Sequence, residues 1–272
     1  MSSLPFSPSL FASHLTTQSL GRFLLYRLTT PSTQLLCKRE AIEGAPNGTL
    51  ILAEQQTAGK GRVDGRTWLS QPASNLYFTL LLRPSDVRDI TKLNFALSLA
   101  VCRGVEQAVP AVRPRVKWPN DVWVDGRKVA GVLVDVDMMG SACTVSAGIG
   151  INVNQDWAAV EDGELRQSAT SLLTAAGAQQ PIVRERLLAA ILNALESLLP
   201  LPHATVLQQY TQYDCLLGRE VTVMPRKKED VQSWWQGVAV GYSDEGYLMV
   251  RKGGEGAEVV KLVAEEVTVR AK

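Results

Sequence analysis

Val116-Lys117-Trp118-Pro119-Asn120-Asp121-Val122-Trp123-Val124-Asp125-Gly126-Arg127-Lys128-Val129-Ala130-Gly131-Val132-Leu133-Val134-Asp135-Val136 is the stretch from which the fold is read. Val122 to Val124 and the long run Val129 to Val136 are strand-forming, and Asp125-Gly126 between them is a hairpin turn. Pro119 fixes a rigid turn ahead of the hairpin and places Asn120 and Asp121 at its tip. A carboxylate beside an amide suits Mg²⁺ and nucleotide phosphates, because that ion prefers hard oxygen ligands. Lys128 heads an otherwise apolar strand, and Gly131 stands where a side chain would block a pocket. The same residues also read as an ordinary hairpin with a salt-bridged lysine.

Upstream, Phe23 to Leu28 reads as a strand, followed by a helix from about Ser32 behind a Pro-Ser pair. Asn47-Gly48 turns into a second strand, Thr49 to Ala53. Asn75 to Leu82 is a β-prone run ending before Pro84. From Ile90 to Ala108, Leu93, Leu97, Ala100, Val101 and Val105 recur at helical spacing. Downstream, Ala142 to Gly148 is another strand, and helical patterns occupy Glu164 to Ala176, Ile182 to Leu199 and His203 to Leu216. After Gly218, short β-prone segments alternate with turns: Glu220 to Met224, Gly237 to Val240, Tyr247 to Val250, Val259 to Val263 and Val267 to Val269. The expected architecture is α+β, a mixed β-sheet with flanking helices plus a small C-terminal β-barrel. The expected divisions are an N-terminal extension over 1–20, a main domain over 21–216 and an appendage over 217–272.

Two further segments carry chemistry. Gly59-Lys60-Gly61-Arg62-Val63-Asp64-Gly65-Arg66-Thr67-Trp68 combines glycines, which present backbone N–H groups to anions, with three cations. Trp68 offers a flat face for a purine. The spacing is not that of a P-loop, and taken alone Gly-Lys-Gly-Arg reads rather as a solvated surface loop. In Gly148-Ile149-Gly150-Ile151-Asn152 the glycines end an apolar strand and permit close approach of a ligand.

Composition bounds the function. With 28 Lys and Arg against 27 Asp and Glu among 272 residues, the chain carries no overall field for DNA or a membrane surface. Cys37, Cys102, Cys143 and Cys215 follow no metal-binding or redox spacing and read as small buried hydrophobes. The two histidines, His14 and His203, lie near no nucleophile motif, which argues against a triad hydrolase. No apolar run reaches the roughly 18–20 residues of a membrane span. The acid-free start is compatible with organelle import, but the strand from Phe23 leaves little room for a leader, so the cytoplasm is the expected compartment.

In order and spacing the three segments resemble the catalytic region of biotin protein ligases, also called holocarboxylase synthetases, over about residues 20 to 270. Lys117 to Asp121 with the downstream Arg-Lys-Val-Ala-Gly is the most specific part. The resemblance implies a class II synthetase-like catalytic domain with an SH3-like appendage. The implied activity is formation of biotinyl-5′-AMP from biotin and ATP with Mg²⁺, then transfer of biotin to a lysine of a carboxylase carrier domain.

It also implies roles. Ser32, Thr33, Gln34, Gln56, Lys60, Gly61, Arg62, Lys128, Gly131 and Gly148 contact biotin, and Lys128 and Arg62 are catalytic. Arg62, Arg66, Trp68, Lys117, Asn120, Asp121 and Asn152 face ATP or the adenylate, with Asp121 as a Mg²⁺ ligand. Three departures stand out. The glycine-rich loop is one residue longer than the family pattern, Gln34 replaces Asn, and no helix-turn-helix precedes the domain. A DNA-binding repressor is therefore not expected, and a homodimer is left open. A lipoate or octanoate ligase on a related fold and a non-catalytic biotin-binding module are the rival readings. Trp234-Trp235 reads as barrel packing, with an acceptor contact as the alternative.

Overall fold

In a computed structural model of the chain, the described residues are 4–62, 67–84, 89–139, 142–160, 162–225, 234–253, 258–264 and 267–271. Seven strands form a mixed sheet: β1 (Leu24–Thr30), β2 (Leu50–Gln56), β3 (Leu76–Leu82), β4 (Arg115–Lys117), β5 (Asp121–Val124), β6 (Arg127–Met139) and β7 (Ala142–Ile151). Their spatial order is β1-β2-β3-β7-β6-β5-β4. Only β1 and β2 run parallel, and the remaining neighbours are antiparallel. Asp125 and Gly126 both have positive φ, 48° and 75°, as the two-residue turn between β5 and β6 requires.

Side-chain alternation gives the sheet two unlike faces. Leu76, Phe78, Leu80, Val145, Ala147, Ile149, Ile151 and Val132 enter the main core. That face is covered by α3 (Asp89–Ala108), which packs on α6 (Arg184–Leu198) and α7 (His203–Tyr213). α3 is buried from Leu93 to Val105 on almost every side because it lies between the sheet and α6. On the opposite face α2 (Thr33–Ile42) seals a small cluster of Cys37, Ile51 and Leu81.

One expectation is corrected. Glu164 to Ala176 is not one helix but two short ones, α4 (Gly163–Ser168) and α5 (Leu172–Ala175), each with its own side-chain N-cap, Asp162 and Ser171. Between them the chain runs extended because the start of β6 recruits it: Lys128 bridges Ala169, and Thr170 N–H donates to the Lys128 carbonyl at 2.9 Å. A long-range backbone pairing has overridden local helical periodicity. The first residues also hold a helix that the periodicity did not reveal, α1 (Pro8–His14). Its sequence signal is a Ser7 N-cap followed by proline in the first turn. Phe6, Phe11, Leu15 and Leu20 are core residues, so residues 6–20 are packed into the fold.

The C-terminal appendage is a five-stranded antiparallel sheet, in the order β11-β10-β9-β8-β12. Its strands are β8 (Glu220–Pro225), β9 (Trp235–Tyr242), β10 (Leu248–Lys252), β11 (Val259–Leu262) and β12 (Val267–Ala271). It joins the main core through Tyr242, whose hydroxyl donates to Asp214 at 2.5 Å and whose ring stands edge-on to Phe95 and Tyr210. Trp235 is partly buried against that core, whereas Trp234 is 43% exposed. The four cysteines are free thiols. Among the described residues, no helix is long and apolar enough to cross a membrane.

One buried ion pair ties the N-terminal segment to the sheet. Arg184 Nη1 lies 2.7 Å from Glu54 Oε2 and also donates to the Asn75 carbonyl, while its Nη2 donates to the Leu4 carbonyl. Glu54 also accepts from Tyr26 Oη and Phe6 N. Burial pushes the Glu54 carboxyl up, but hydrogen bonds from Arg184, Tyr26 and Phe6 outweigh it and hold the group below its ordinary range. A depressed pKa stabilises the fold above the unfolded value and loses that contribution as pH falls through the folded one. Glu54→Gln should therefore cost about 3–5 kcal/mol at neutral pH, as expected for breaking a buried pair. Denaturant titrations from neutral pH into the acid range should converge for variant and parent as pH falls through the depressed folded value, below the ordinary glutamate range. A constant gap between the two curves would contradict this account.

Candidate functional site

The sheet face not covered by α3 is read row by row from strand pairing. One row runs Ala53–Tyr77–Gly150–Gly131–Asp121–Lys117 across β2, β3, β7, β6, β5 and β4. The next runs Ile51–Thr79–Gly148–Leu133. Residues opposite one another on neighbouring strands share a face, so Gly131, Gly148 and Gly150 form a patch of sheet without side chains. A flat group can lie directly on the backbone there.

Two side chains do so. The indole of Trp68 covers the first row: a Cβ on Gly150 would sit 2.5 Å from Trp68 Cε2, and one on Gly131 would sit 3.0 Å from its Cζ3. The carboxamide of Gln34, from the first turn of α2, covers the second: a Cβ on Gly148 would meet its Cγ, Cδ and Nε2 at 3.0 Å. Gln34 Nε2 donates to the Leu133 carbonyl at 2.9 Å. Trp68 is held by the start of the glycine-rich loop, its N–H donating to the Gly59 carbonyl at 3.0 Å, with Lys60 and Thr67 bridged beside it. Its indole N–H is buried and has no hydrogen-bond partner.

At the edge of the glycine patch Lys128 Nζ lies 2.6 Å from Asp121 Oδ1, with both side chains partly exposed, and 5.3 Å from the Trp68 ring centroid. The pair follows from the hairpin, because Asp121 stands opposite Gly131 and Lys128 opposite Trp123 across a register shift. Lys117 continues the row, its ammonium 4.1 Å from the Trp123 ring centroid. On the other flank, Gln56 Oε1 accepts from Thr33 N at 2.8 Å and Thr33 Oγ1 at 3.1 Å. Thr79 Oγ1 in turn donates to Thr33 Oγ1 at 2.9 Å. Gln56 thereby takes up a free N–H at the start of α2, where Ser32, the buried N-cap residue, makes no side-chain cap. The result is a groove with hydrogen-bonding groups along one side, a cation and carboxylate at one end, and an aromatic plate over its floor.

The other singled-out residues divide. Ser32, Thr33, Gln34, Gln56, Lys60, Gly61, Trp68, Lys117, Asp121, Lys128, Gly131 and Gly148 border this groove or the loop that feeds it. Asn120 and Asn152 are buried, and their amides donate to the Val132 and Thr170 carbonyls, which hold β5 to β6 and the 169–171 segment to β7. Arg62 Nη1 donates to the Ala264 carbonyl in the appendage at 2.8 Å. Arg66 lies outside the described residues. Gly150, read with Gly148 as a glycine that permits close approach, lies on the same face of β7, and Tyr77, which no motif singles out, stands opposite it.

Comparison with known proteins bears on this groove. A model described as the Biotin/lipoate A/B protein ligase family matches residues 24–152, from β1 to just past β7. The chain is 33% identical over 233 residues to the biotin–[acetyl-CoA-carboxylase] ligase of Mycobacterium tuberculosis, covering 83% of this chain and 82% of that protein. It is 38% identical over 165 residues to the bifunctional ligase/repressor BirA of Bacillus subtilis, covering 60% of this chain and 50% of that one. The chain thus spans half the length of this curated relative. A solved structure of the Aquifex aeolicus biotin protein ligase in complex with biotin and ATP is similar at a TM-score of 0.73 and 28% identity, covering 92% of this chain and 100% of that one.

The contact between Trp68 and the glycine floor can be tested without any ligand. Gly150→Ala should destabilise the fold by about 1–3 kcal/mol through overpacking against the indole. In a Trp68→Ala background the same substitution should cost far less, so a double-mutant cycle of unfolding free energies should show clear coupling. Additive effects would mean that the indole does not rest on Gly150.

Proposed function

Because the chain belongs to the biotin protein ligase family, we propose that it joins biotin to ATP and transfers the biotinyl group to a lysine of a biotin carboxyl carrier domain. The observation that carries the reading is the glycine floor of Gly131, Gly148 and Gly150, with Lys128 and Asp121 at one end and polar groups of Thr33, Gln34 and Gln56 at the other. A ring bearing a urea needs hydrogen-bonding partners where it stops, whereas a purely aliphatic tail needs none. This favours biotin over a straight-chain acid.

A carboxylate oxygen of biotin attacks the α-phosphorus of ATP, the bond to the β-phosphate bridging oxygen breaks, and pyrophosphate leaves. Two anions must meet for this step, and the Lys128 ammonium neutralises their repulsion and the charge that builds at phosphorus. Asp121 holds Lys128 in place, and Trp68 would stack on the adenine. Arg62 would add a second cation from the glycine-rich loop. The acceptor ε-amine then attacks the acyl carbon, AMP departs with the former acyl oxygen, and an amide forms. No covalent enzyme intermediate is needed.

Mg²⁺ fits this site as an ion that arrives with the nucleotide. Among the described residues there is no group of three or more His, Cys, Asp or Glu that could hold a metal, while Asp121 would offer one hard oxygen to an ion carried by the triphosphate. When bound, Mg²⁺ would offset triphosphate charge.

Mass spectrometry of a carrier domain incubated with the protein, ATP, Mg²⁺ and either biotin or lipoate tests the reading; addition of biotin alone is expected, and addition of lipoate alone would overturn it. Lys128→Ala should lower biotin-dependent pyrophosphate exchange about 10²–10³-fold. Its unfolding free energy should change by no more than about 1 kcal/mol, as for a partly exposed pair. Lys128→Arg should restore only part of the rate, since a planar fork does not replace a compact ammonium. Near-normal exchange by folded Lys128→Ala would remove this lysine from the mechanism.

A further inference from the structure

The cation end of the groove stands on one more aromatic ring. Asp121 and Trp123 alternate with the buried Val122 and Val124 along β5, so their side chains leave the sheet on the groove face. Across the strands Trp123 stands opposite Arg115 on β4 and, past a register shift, opposite Lys128 on β6, while Lys117 stands opposite Asp121. Three cations thus surround one indole, and each is engaged differently. Arg115 Nη1 donates to the Gln212 carbonyl near the end of α7 at 2.9 Å, and Lys128 Nζ lies 2.6 Å from Asp121 Oδ1. Lys117 Nζ sits over the Trp123 ring, 4.1 Å from its centroid. The indole N–H of Trp123 is buried and has no hydrogen-bond partner. An unpaired buried donor is costly, so a ring that only filled space here would serve better as phenylalanine. What the indole adds is the strongest aromatic face for a cation.

We infer that Trp123 is a positioning residue for Lys117, holding its ammonium where the pyrophosphate end of the nucleotide meets the protein. The inference rests on the ligase reading above, which puts the carboxylate and the α-phosphate at Lys128. Neighbouring strands lie about 4.8 Å apart, so the row from Gly131 through Asp121 to Lys117 carries the second lysine further from the glycine floor at each step. A cation there faces the part of the substrates that extends past the α-phosphate, and that part is the leaving pyrophosphate. Lys117 stands on β4, the edge strand of the sheet, where a flexible four-carbon stem has most freedom. A second ammonium beside Lys128 is also pushed away by like charge. The electron-rich ring face opposes both effects, drawing the ammonium onto the indole and leaving the donors on its far side for phosphate oxygens. A cation fixed in advance need not reorganise as charge moves onto the leaving group. Transfer to the acceptor lysine involves no pyrophosphate, so Trp123 serves the first half-reaction and not the second.

The test measures both halves on the full chain: biotin-dependent pyrophosphate exchange, and transfer from preformed biotinyl-5′-AMP to a carrier domain. It compares the parent with Trp123→Phe, Trp123→Leu, Lys117→Met and the double variant Trp123→Leu/Lys117→Met, with thermal unfolding of each recorded. Trp123→Leu should lower exchange, as kcat/KM for pyrophosphate, by about 10-fold, while transfer from preformed adenylate falls far less. Trp123→Phe, with a weaker ring face, should lose less, again in exchange rather than transfer, and it carries the test if the leucine variant does not fold. Added to Lys117→Met, Trp123→Leu should cause little further loss, because the indole then has no ammonium to hold. Equal losses in the two half-reactions, additive losses in the double variant, or exchange at the parent's level in folded Trp123→Leu would each overturn the assignment. The parent judges the function separately. Exchange that depends on lipoate and not on biotin would sink the biotin reading, while the same variants assayed with lipoate still decide the role of Trp123. A parent without acid-dependent exchange would overturn both.

Discussion

Where β6 and β7 pair, Gly131 stands opposite Gly150, and Gly148 lies two residues before Gly150 on the same face. The rest of the site depends on this absence of side chains. A strand interior with three glycines on one face gives up packing and backbone entropy, because each lacks a Cβ to bury and has more freedom to lose. In return the sheet presents bare backbone to a planar group. Trp68 and Gln34 use it in this structure, and their distances leave no room for a methyl at any of the three positions without movement. The cost of the glycines is carried by the other face of the same strands, where Val145, Ala147, Ile149 and Ile151 are buried against the main core.

Chemistry and scaffold are separated by the same alternation. Asp121 and Lys128 reach the groove from a hairpin whose Val122, Val124 and Val129 are core residues, so the ion pair stands on a fixed base. Asn120 and Asn152 reinforce that base. One donates to the Val132 carbonyl on β6, and the other draws the 169–171 segment against the sheet beside Lys128. Their family resemblance is to nucleotide-contacting positions, yet here their amides hold backbone. A buried amide serves by locking the strand ends that carry the neighbouring carboxylate and ammonium. The bond from Arg62 to the Ala264 carbonyl links the glycine-rich loop to a turn in the appendage some two hundred residues away.

The N-terminal segment and α6 are coupled through charge rather than shape alone. Arg184 and Glu54, both nearly inaccessible, share donors and acceptors with Leu4, Phe6, Tyr26 and Asn75. A pair so buried is weak evidence of net stabilisation, but with its remaining hydrogen bonds satisfied it specifies which elements may meet. It fixes residues 4–6 against the first two strands, at the end of the sheet from which β2 delivers Gln56 to the groove.

Local chemistry was enough to read the hairpin from Val122 to Val136, because Asp-Gly flanked by alternating valines has few other conformations. Sequence also located the long amphipathic helix over 90–108 and the change to short strands after Gly218. The glycine-rich loop, the Lys-Trp-Pro-Asn-Asp turn and Lys128 were legible as chemistry because their residue types are unusual in ordinary loops and strands. Other features were not legible: the break of the 164–176 helix, the burial of residues 6–20, and the meeting of Gln34 with Gly148 and of Trp68 with Gly150. Each depends on contacts between residues far apart in the chain, where long-range backbone pairing and burial outweigh local propensity. Sequence by itself thus determined which residues carry charge, ring or bare backbone. Only the tertiary structure decided which of them face one another, because strand register alone sets whether two residues share a face.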